Sequence, residues 1–102
     1  MPGTLDVIVV GAGIIGCAVA YELARRGARV TIADDRPVGH GATRASGGML
    51  VPYLEARPDD PLLRLGAASL ALYDEFVARV GADAGMPIEY RRTGTLQVAL
   101  DE

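Results

Sequence analysis

The residues best suited to chemistry form one short run, Gly11-Ala12-Gly13-Ile14-Ile15-Gly16, with Asp34 following 18 residues after the last glycine. Glycines at the first, third and sixth places of such a run suit one task, which is holding a pyrophosphate by backbone alone. Gly11 permits a tight turn, Gly13 lets the backbone approach a phosphate, and Gly16 lets a helix lie close against a strand. The phosphates are then met by free amides and by the positive end of that helix. A carboxylate at Asp34 accepts from ribose hydroxyls and repels a 2′-phosphate, which disfavours NADP. The chemistry implied is dinucleotide binding, and the run itself does not separate NAD from FAD.

Other reactive types are sparse. All ten cations are arginine, so no Schiff-base or phosphate-binding lysine exists among the 102 residues. The net charge of −3 supplies no basic field for nucleic acid. Cys17 is the sole cysteine, which excludes an internal disulfide or a cysteine-based zinc cluster and suits a reducing, cytoplasmic interior. In the first turn of a helix Cys17 reads as small apolar filler. His40 lies among glycines with nothing in the sequence to orient its ring as a general base. Arg91 and Arg92 read as a solvated strand face, Tyr73 and Phe76 as helix core, and Tyr53 and Glu55 as loop residues near a pocket. No catalytic residue and no metal ligand is assigned.

These residues need elements to position them. Val7-Ile8-Val9-Val10 is a β-branched run of the kind buried on both faces of a parallel sheet. Ile14 to Arg26 repeats apolar residues at helical spacing and stops at Gly27, with Arg25 and Arg26 at the negative end of the helix dipole. Val30-Thr31-Ile32-Ala33 is a second strand, so the first third reads as a βαβ unit. The stretch from Val38 to Gly48 is too poor in apolar side chains for a core element. Asp59-Asp60-Pro61 starts a long helix, with Leu62, Leu65, Ser69, Leu72, Phe76 and Val80 on one stripe, widened by Tyr73 and Val77 and ending at Gly81 or Gly85. Ile88–Arg92 and Thr95–Leu100 read as two strands of a different sheet around Thr93-Gly94.

The apolar stretch from Leu5 to Ala20 is not expected to be a signal peptide or a membrane span. No positive charge precedes it, Asp6 lies within it, and glycines interrupt it. The expected organisation is α/β: residues 1–50 as a partial Rossmann-like unit with a ligand-approaching loop, and 51–102 as a helix and the first strands of a second sheet.

Four segments together, DVIVVGAGIIGCAVAYELARRG, VTIADD, GATRASGGMLVPYLEA and RRTGTLQVAL, resemble glycine oxidase and its relatives in the FAD-dependent D-amino-acid oxidase superfamily. The likeness covers nearly the whole chain and matches the amino-terminal portion of such enzymes; the glycine oxidase likeness rests mainly on Gly47-Gly48-Met49-Leu50. The resemblance implies FAD as cofactor. It implies that Gly11, Gly13, Ile14, Ile15 and Gly16 hold the pyrophosphate, and that Asp34, with Asp35 beside it, binds the adenosine ribose. It implies further that Ala42 and Thr43 pass under the pyrophosphate and ribityl chain, and that Gly47, Gly48 and Met49 approach the isoalloxazine. Relatives more often carry glutamate where Asp34 stands, and serine where Arg44 stands.

By the same resemblance the longer parent is an amine or amino-acid oxidase that forms hydrogen peroxide from a small-molecule substrate. The 102-residue chain alone is then inactive, because the substrate-binding portion lies elsewhere. Two other readings stand beside this one. An NAD-dependent dehydrogenase needs a third parallel strand near residues 55–65, where prolines and acids stand instead. A non-catalytic remnant would act through its exposed sheet edge. On any reading, uncovered apolar strands favour self-association.

Overall fold

A computed structural model describes residues 4–54 and 57–100. The elements run β1 (Asp6–Val10), α1 (Ile14–Arg25), β2 (Arg29–Ala33), α2 (Ala42–Ala45), α3 (Pro61–Ala71) and α4 (Tyr73–Ala84). The chain divides into two compact units, Met1–Gly48 and Met49–Glu102.

In the first unit β1 and β2 pair in parallel, with Asp6 opposite Arg29 and Val10 opposite Ala33. The register is pinned at its open end by a two-pronged ion pair. Arg29 Nε and Nη2 donate to the two Asp6 oxygens at 2.6 and 2.7 Å. That contact holds Asp6 below the ordinary carboxylate range. It was invisible in the sequence because the partners are 23 residues apart. α1 ends with Arg26 as its C-cap, and Gly27 turns left-handed at φ 89° to return the chain to β2.

The strand expected to be buried on both faces is not. Val7 and Val9 are half-buried on the side where Val9 meets Gly16 of α1. Ile8 and Val10, on the other side, are 72 and 86 % exposed. Two strands and one helix cover a single sheet face, so the opposite apolar face stays open. Among the described residues only Ala12 and Ala20 are fully buried apolar residues.

The second unit departs from expectation in three ways. The long helix is divided at Leu72, where α3 closes with the Leu72 amide on the Ser69 carbonyl and α4 begins. The stripe holds along α4, at Tyr73, Phe76, Val77 and Val80, and lies elsewhere on α3. Leu62, Leu65 and Leu72 are exposed, while Leu63, Gly66, Ala67, Leu70, Tyr73, Phe76, Val77 and Val80 turn partly inward. With leucines nearly all round α3, periodicity underdetermines the inner face. Gly66 decides it, because a Cβ there would stand 2.8 Å from Pro52 Cβ, so only glycine lets that proline seat. Finally, neither expected strand forms, and residues 87–100 have no ladder. A strand is completed by a hydrogen-bonded neighbour, and no described segment supplies one. Ile88 instead runs beside Gly81, Tyr90 lies 6.0 Å from Tyr73 between ring centroids, and Arg92 pairs with Asp74 at 2.9 Å.

The helix start is as expected. Asp60 is the N-cap of α3, accepting from the Leu62 amide at 2.8 Å, with Pro61 in the first turn. No helix among the described residues is long and apolar enough to cross a membrane.

Candidate dinucleotide site

Gly11 leaves β1 at φ 108°, in the left-handed region that a side chain would oppose. Its amide still reaches the Ala33 carbonyl at 2.8 Å, so the turn begins while the sheet continues. The chain then enters α1 through Gly13 as N-cap. Gly16 faces back onto this turn, where a Cβ would lie 1.9 Å from the Gly11 carbonyl oxygen. The close-packing role expected of Gly16 is therefore met against the turn itself and against Val9.

Ala12 is the residue that sequence reasoning passed over. It is 3 % exposed, and its peptide groups tie three segments together. Its amide donates to Asp34 Oδ2 at 2.7 Å, its carbonyl accepts from the Gly39 amide at 2.9 Å, and the Cys17 thiol reaches the same carbonyl at 3.5 Å. The signal was present as a small residue between two motif glycines, yet motif reading treats that place as free. Cys17 is half-buried, in keeping with its reading as filler.

Asp34 stands at the end of β2 as expected, but its oxygens already have partners. Beyond the Ala12 contact, Oδ1 accepts from the Arg36 amide at 2.8 Å. The Ala12 amide first and the Arg36 amide second hold its carboxyl below the ordinary range. Each carboxylate oxygen has a second acceptor direction, so the group can brace the loop and still meet a ribose. Asp35, beside it, is highly exposed and lies 3.6 Å from the Arg36 guanidinium.

Thr43, on α2, comes to the N-terminus of α1, and its Oγ1 accepts from the Ile14 amide at 3.0 Å. A Cβ on Gly13 would stand 3.0 Å from the same oxygen. The approach that Gly13 was expected to leave to a phosphate therefore also admits the Thr43 side chain. Gly41 precedes α2 at φ 76°, and a Cβ there would meet the Arg36 guanidinium at 3.1 Å.

His40 departs from the expectation that nothing orients its ring. Nδ1 lies 3.0 Å from the Pro37 carbonyl and Nε2 lies 2.9 Å from Arg44 Nη1. Carbonyls only accept and guanidinium only donates, so the tautomer with its proton on Nδ1 matches both contacts. The same contact ties up Arg44.

An open cleft of about 540 Å³ lies over the turn, walled by Val9, Val10 and Val19 and by the motif residues Gly11, Gly13, Ile14, Ile15 and Gly16. Ala42, Thr43 and Ser46 close its far side. The structure thus gathers eight sequence-assigned residues: Gly11, Gly13, Ile14, Ile15, Gly16, Ala42 and Thr43 in the lining, and Asp34 beneath Ala12. Asp35, Gly47 and Gly48 lie outside the lining. Met49, 78 % exposed, belongs to the second unit, as does Tyr53; Glu55 lies outside the described residues. Arg91 pairs with Glu89 at 2.8 Å, and Arg91 and Arg92 both remain exposed, as a solvated face requires. The third parallel strand that an NAD domain needs is not found at 57–65, where a turn and the start of α3 stand.

Comparison with known proteins matches residues 6–102 to the family described as FAD dependent oxidoreductase. The chain is 35 % identical over 97 residues to a glycine oxidase of Geobacillus kaustophilus (95 % of this chain, 26 % of that protein). It is 34 % identical over 94 residues to the uncharacterized oxidoreductase YurR of Bacillus subtilis (92 % and 25 %). It is 40 % identical over 100 residues to a putative thiamine biosynthesis oxidoreductase, ThiO, of Rhizobium etli (93 % and 27 %). The chain spans about a quarter of the length of these relatives. No solved structure matches it. A glycine turn between parallel strand and helix, joined to a family match that runs from Asp6 through Glu102, means that the chain belongs to the FAD dependent oxidoreductase family, with FAD the cofactor implied.

Proposed function

We propose that this chain is the FAD-binding amino-terminal portion of an oxidoreductase that oxidatively deaminates glycine or another small amino acid or amine. The observation that carries the cofactor half is the concavity at Gly13, which a single Cβ would fill against Thr43. Its floor carries the first-turn amides of α1, which have no acceptor within their own helix. The residues present fit a diphosphate.

In this reading the amides of Ile14, Ile15 and Gly16 hold the pyrophosphate, aided by the positive end of α1, whose first turn carries no acid. Asp34 binds the adenosine ribose with its remaining acceptor directions, Asp35 standing beside it. Ala42 and Thr43 lie under the pyrophosphate and ribityl chain, and Gly47, Gly48 and Met49 approach the ring system. The apolar walls Val9, Val10 and Val19 exclude water along the ligand. When bound, FAD would supply a two-electron acceptor for the hydride of the carbon bearing the amine, an oxidation whose overall products would be an oxo acid, ammonia and, with dioxygen as final acceptor, hydrogen peroxide. No acid or base among the described residues is assigned to that step.

The substrate half is supported by the likeness to the glycine oxidase of Geobacillus kaustophilus and by the Gly47–Leu50 segment. The test has two arms. Titrating FAD into the chain should give a bound, yellow protein, whereas NADH should not compete; a chain that stays colourless sinks the cofactor half. Hydrogen peroxide release by the longer parent from glycine, sarcosine and larger D-amino acids then ranks substrates, and none from any of them sinks the other half.

A further inference from the structure

We propose that Gly66 of α3 is the mount for Tyr53: by seating Pro52 it fixes the turn that carries this phenol beside the substrate, where the ring is a wall that favours small amino acids over larger ones. This rests on the reading in which Gly47, Gly48 and Met49 approach the ring system of FAD and an amino acid is oxidised there.

Three observations meet at this joint. Gly66 stands in the interior of α3, where glycine is less favourable than alanine. A Cβ there would lie 2.8 Å from Pro52 Cβ, so the helix gives up a side chain at the place where the proline rests. The proline is stiff in turn, because its ring fixes φ and cannot rotate aside. Next, Pro52 belongs to a short turn closed by the Leu54 amide on the Val51 carbonyl at 3.3 Å. Val51 and Pro52 are half-buried, while Tyr53 and Leu54 are exposed. One side of the turn is held and the other presents an aromatic ring. Lastly, the chain just upstream bends at Gly48, at φ 72°, and a glycine offers little resistance to rotation. The seat on α3 is what fixes the segment that follows.

The link to the substrate is one of reach. Met49 and Tyr53 are four residues apart, which bounds their separation at roughly 14 Å even for an extended chain, and the turn between them shortens it. With Met49 approaching the ring system, Tyr53 comes to the neighbourhood of a substrate lying on that ring. A firmly held aromatic side chain there discriminates by size, at about tenfold or more for each methylene that finds no room. Gly66 and Pro52 are positioning residues, and both act only through Tyr53.

The test uses the longer parent as FAD-loaded enzyme, with kcat/KM measured for glycine, D-alanine and D-valine. Gly66→Ala is expected to keep wild-type FAD affinity and to lower the preference for glycine over D-valine about tenfold or more, because the added Cβ drives Pro52, and Tyr53 with it, off the helix. Tyr53→Ala should lower the preference likewise. Gly66→Ala combined with Tyr53→Ala should match Tyr53→Ala alone, since changes that act through one residue do not add. In fluorotyrosine-labelled protein the Tyr53 resonance, identified by its loss in Tyr53→Phe, should shift in Gly66→Ala. Wild-type preference in Gly66→Ala, or an unmoved Tyr53 resonance, overturns the mount. Additive losses in the double variant overturn the action through Tyr53. Should Gly66→Ala fail to fold, Pro52→Gly withdraws the contact from the other side without adding an atom, and wild-type preference there overturns the proposal equally. An enzyme that loads FAD yet oxidises none of these amino acids overturns the underlying reading of the substrate, and the wall with it, while the Tyr53 resonance still reports whether Gly66 holds the turn.

Discussion

Asp34 carries two duties with one carboxylate, bracing Ala12 and Arg36 while standing where a ribose would lie. Replacing it with alanine should remove both, so FAD affinity falls roughly tenfold to a hundredfold, the range of a charge-assisted contact. Asp34→Asn keeps one acceptor oxygen and should lose less. Equilibrium titration of FAD into each variant checks the order, and wild-type affinity in Asp34→Ala would remove the ribose assignment. The pH dependence follows from the depressed carboxyl. A group whose folded value lies below its unfolded one stabilises the fold above the ordinary aspartate range, and that contribution fades as pH falls through the folded value. The protection of the Ala12 amide, its exchange rate measured against the intrinsic rate at each pH, should therefore fall toward acid in wild type, and Asp34→Asn should flatten the response. Gly16→Ala tests packing at the same scale. Its Cβ would meet backbone oxygen at 1.9 Å, which cannot rotate aside, so the loss should reach the upper end of the ~1–3 kcal/mol that overpacking costs. A thermal melt at wild-type midpoint would contradict that.

At the scale of elements, local signals and neighbour-dependent signals separate cleanly. The start of α3 was legible because a cap is local: Asp60 reaches an amide two residues on. Asp60→Ala should cost about 1 kcal/mol and lower the melting midpoint by about 4–8 °C. An unchanged melt would show that Pro61 alone sets the helix start. The stripe of that helix was not legible, since leucines surround it and the choice fell to Gly66 and Pro52. Residues 88–100 illustrate the opposite limit. Their composition suits strands, yet Leu96, Val98 and Leu100 stand 87, 69 and 88 % exposed without a ladder, because strand formation is completed by a neighbour.

For the molecule as a whole, uncovered apolar surface is the dominant physical fact. Ile8 and Val10 stand exposed on a two-stranded sheet, and each strand has an unpaired edge. The isolated chain is expected to self-associate at micromolar concentration, as measured by sedimentation. Ile8→Thr with Val10→Thr should shift it toward monomer without displacing the Ala12–Asp34 contact, since both side chains lie on the face away from α1. A wild-type chain that sediments as a monomer at all concentrations would refute the expectation.

What the sequence determined by itself were features written in consecutive residues or in conformations only glycine tolerates. These are the order β1–α1–β2, the left-handed turn at Gly11, the helix stop at Gly27, the capped start of α3 and the acid at the end of β2. Tertiary structure alone decided which side chains meet across 20 to 30 residues: Asp6 with Arg29, Asp34 with Ala12, and Thr43 with Ile14. Local propensity is set by a residue and its near neighbours, so it can be read in order along the chain. A hydrogen bond between distant residues exists only once two backbones have been brought into register, and no spacing along the chain encodes that distance.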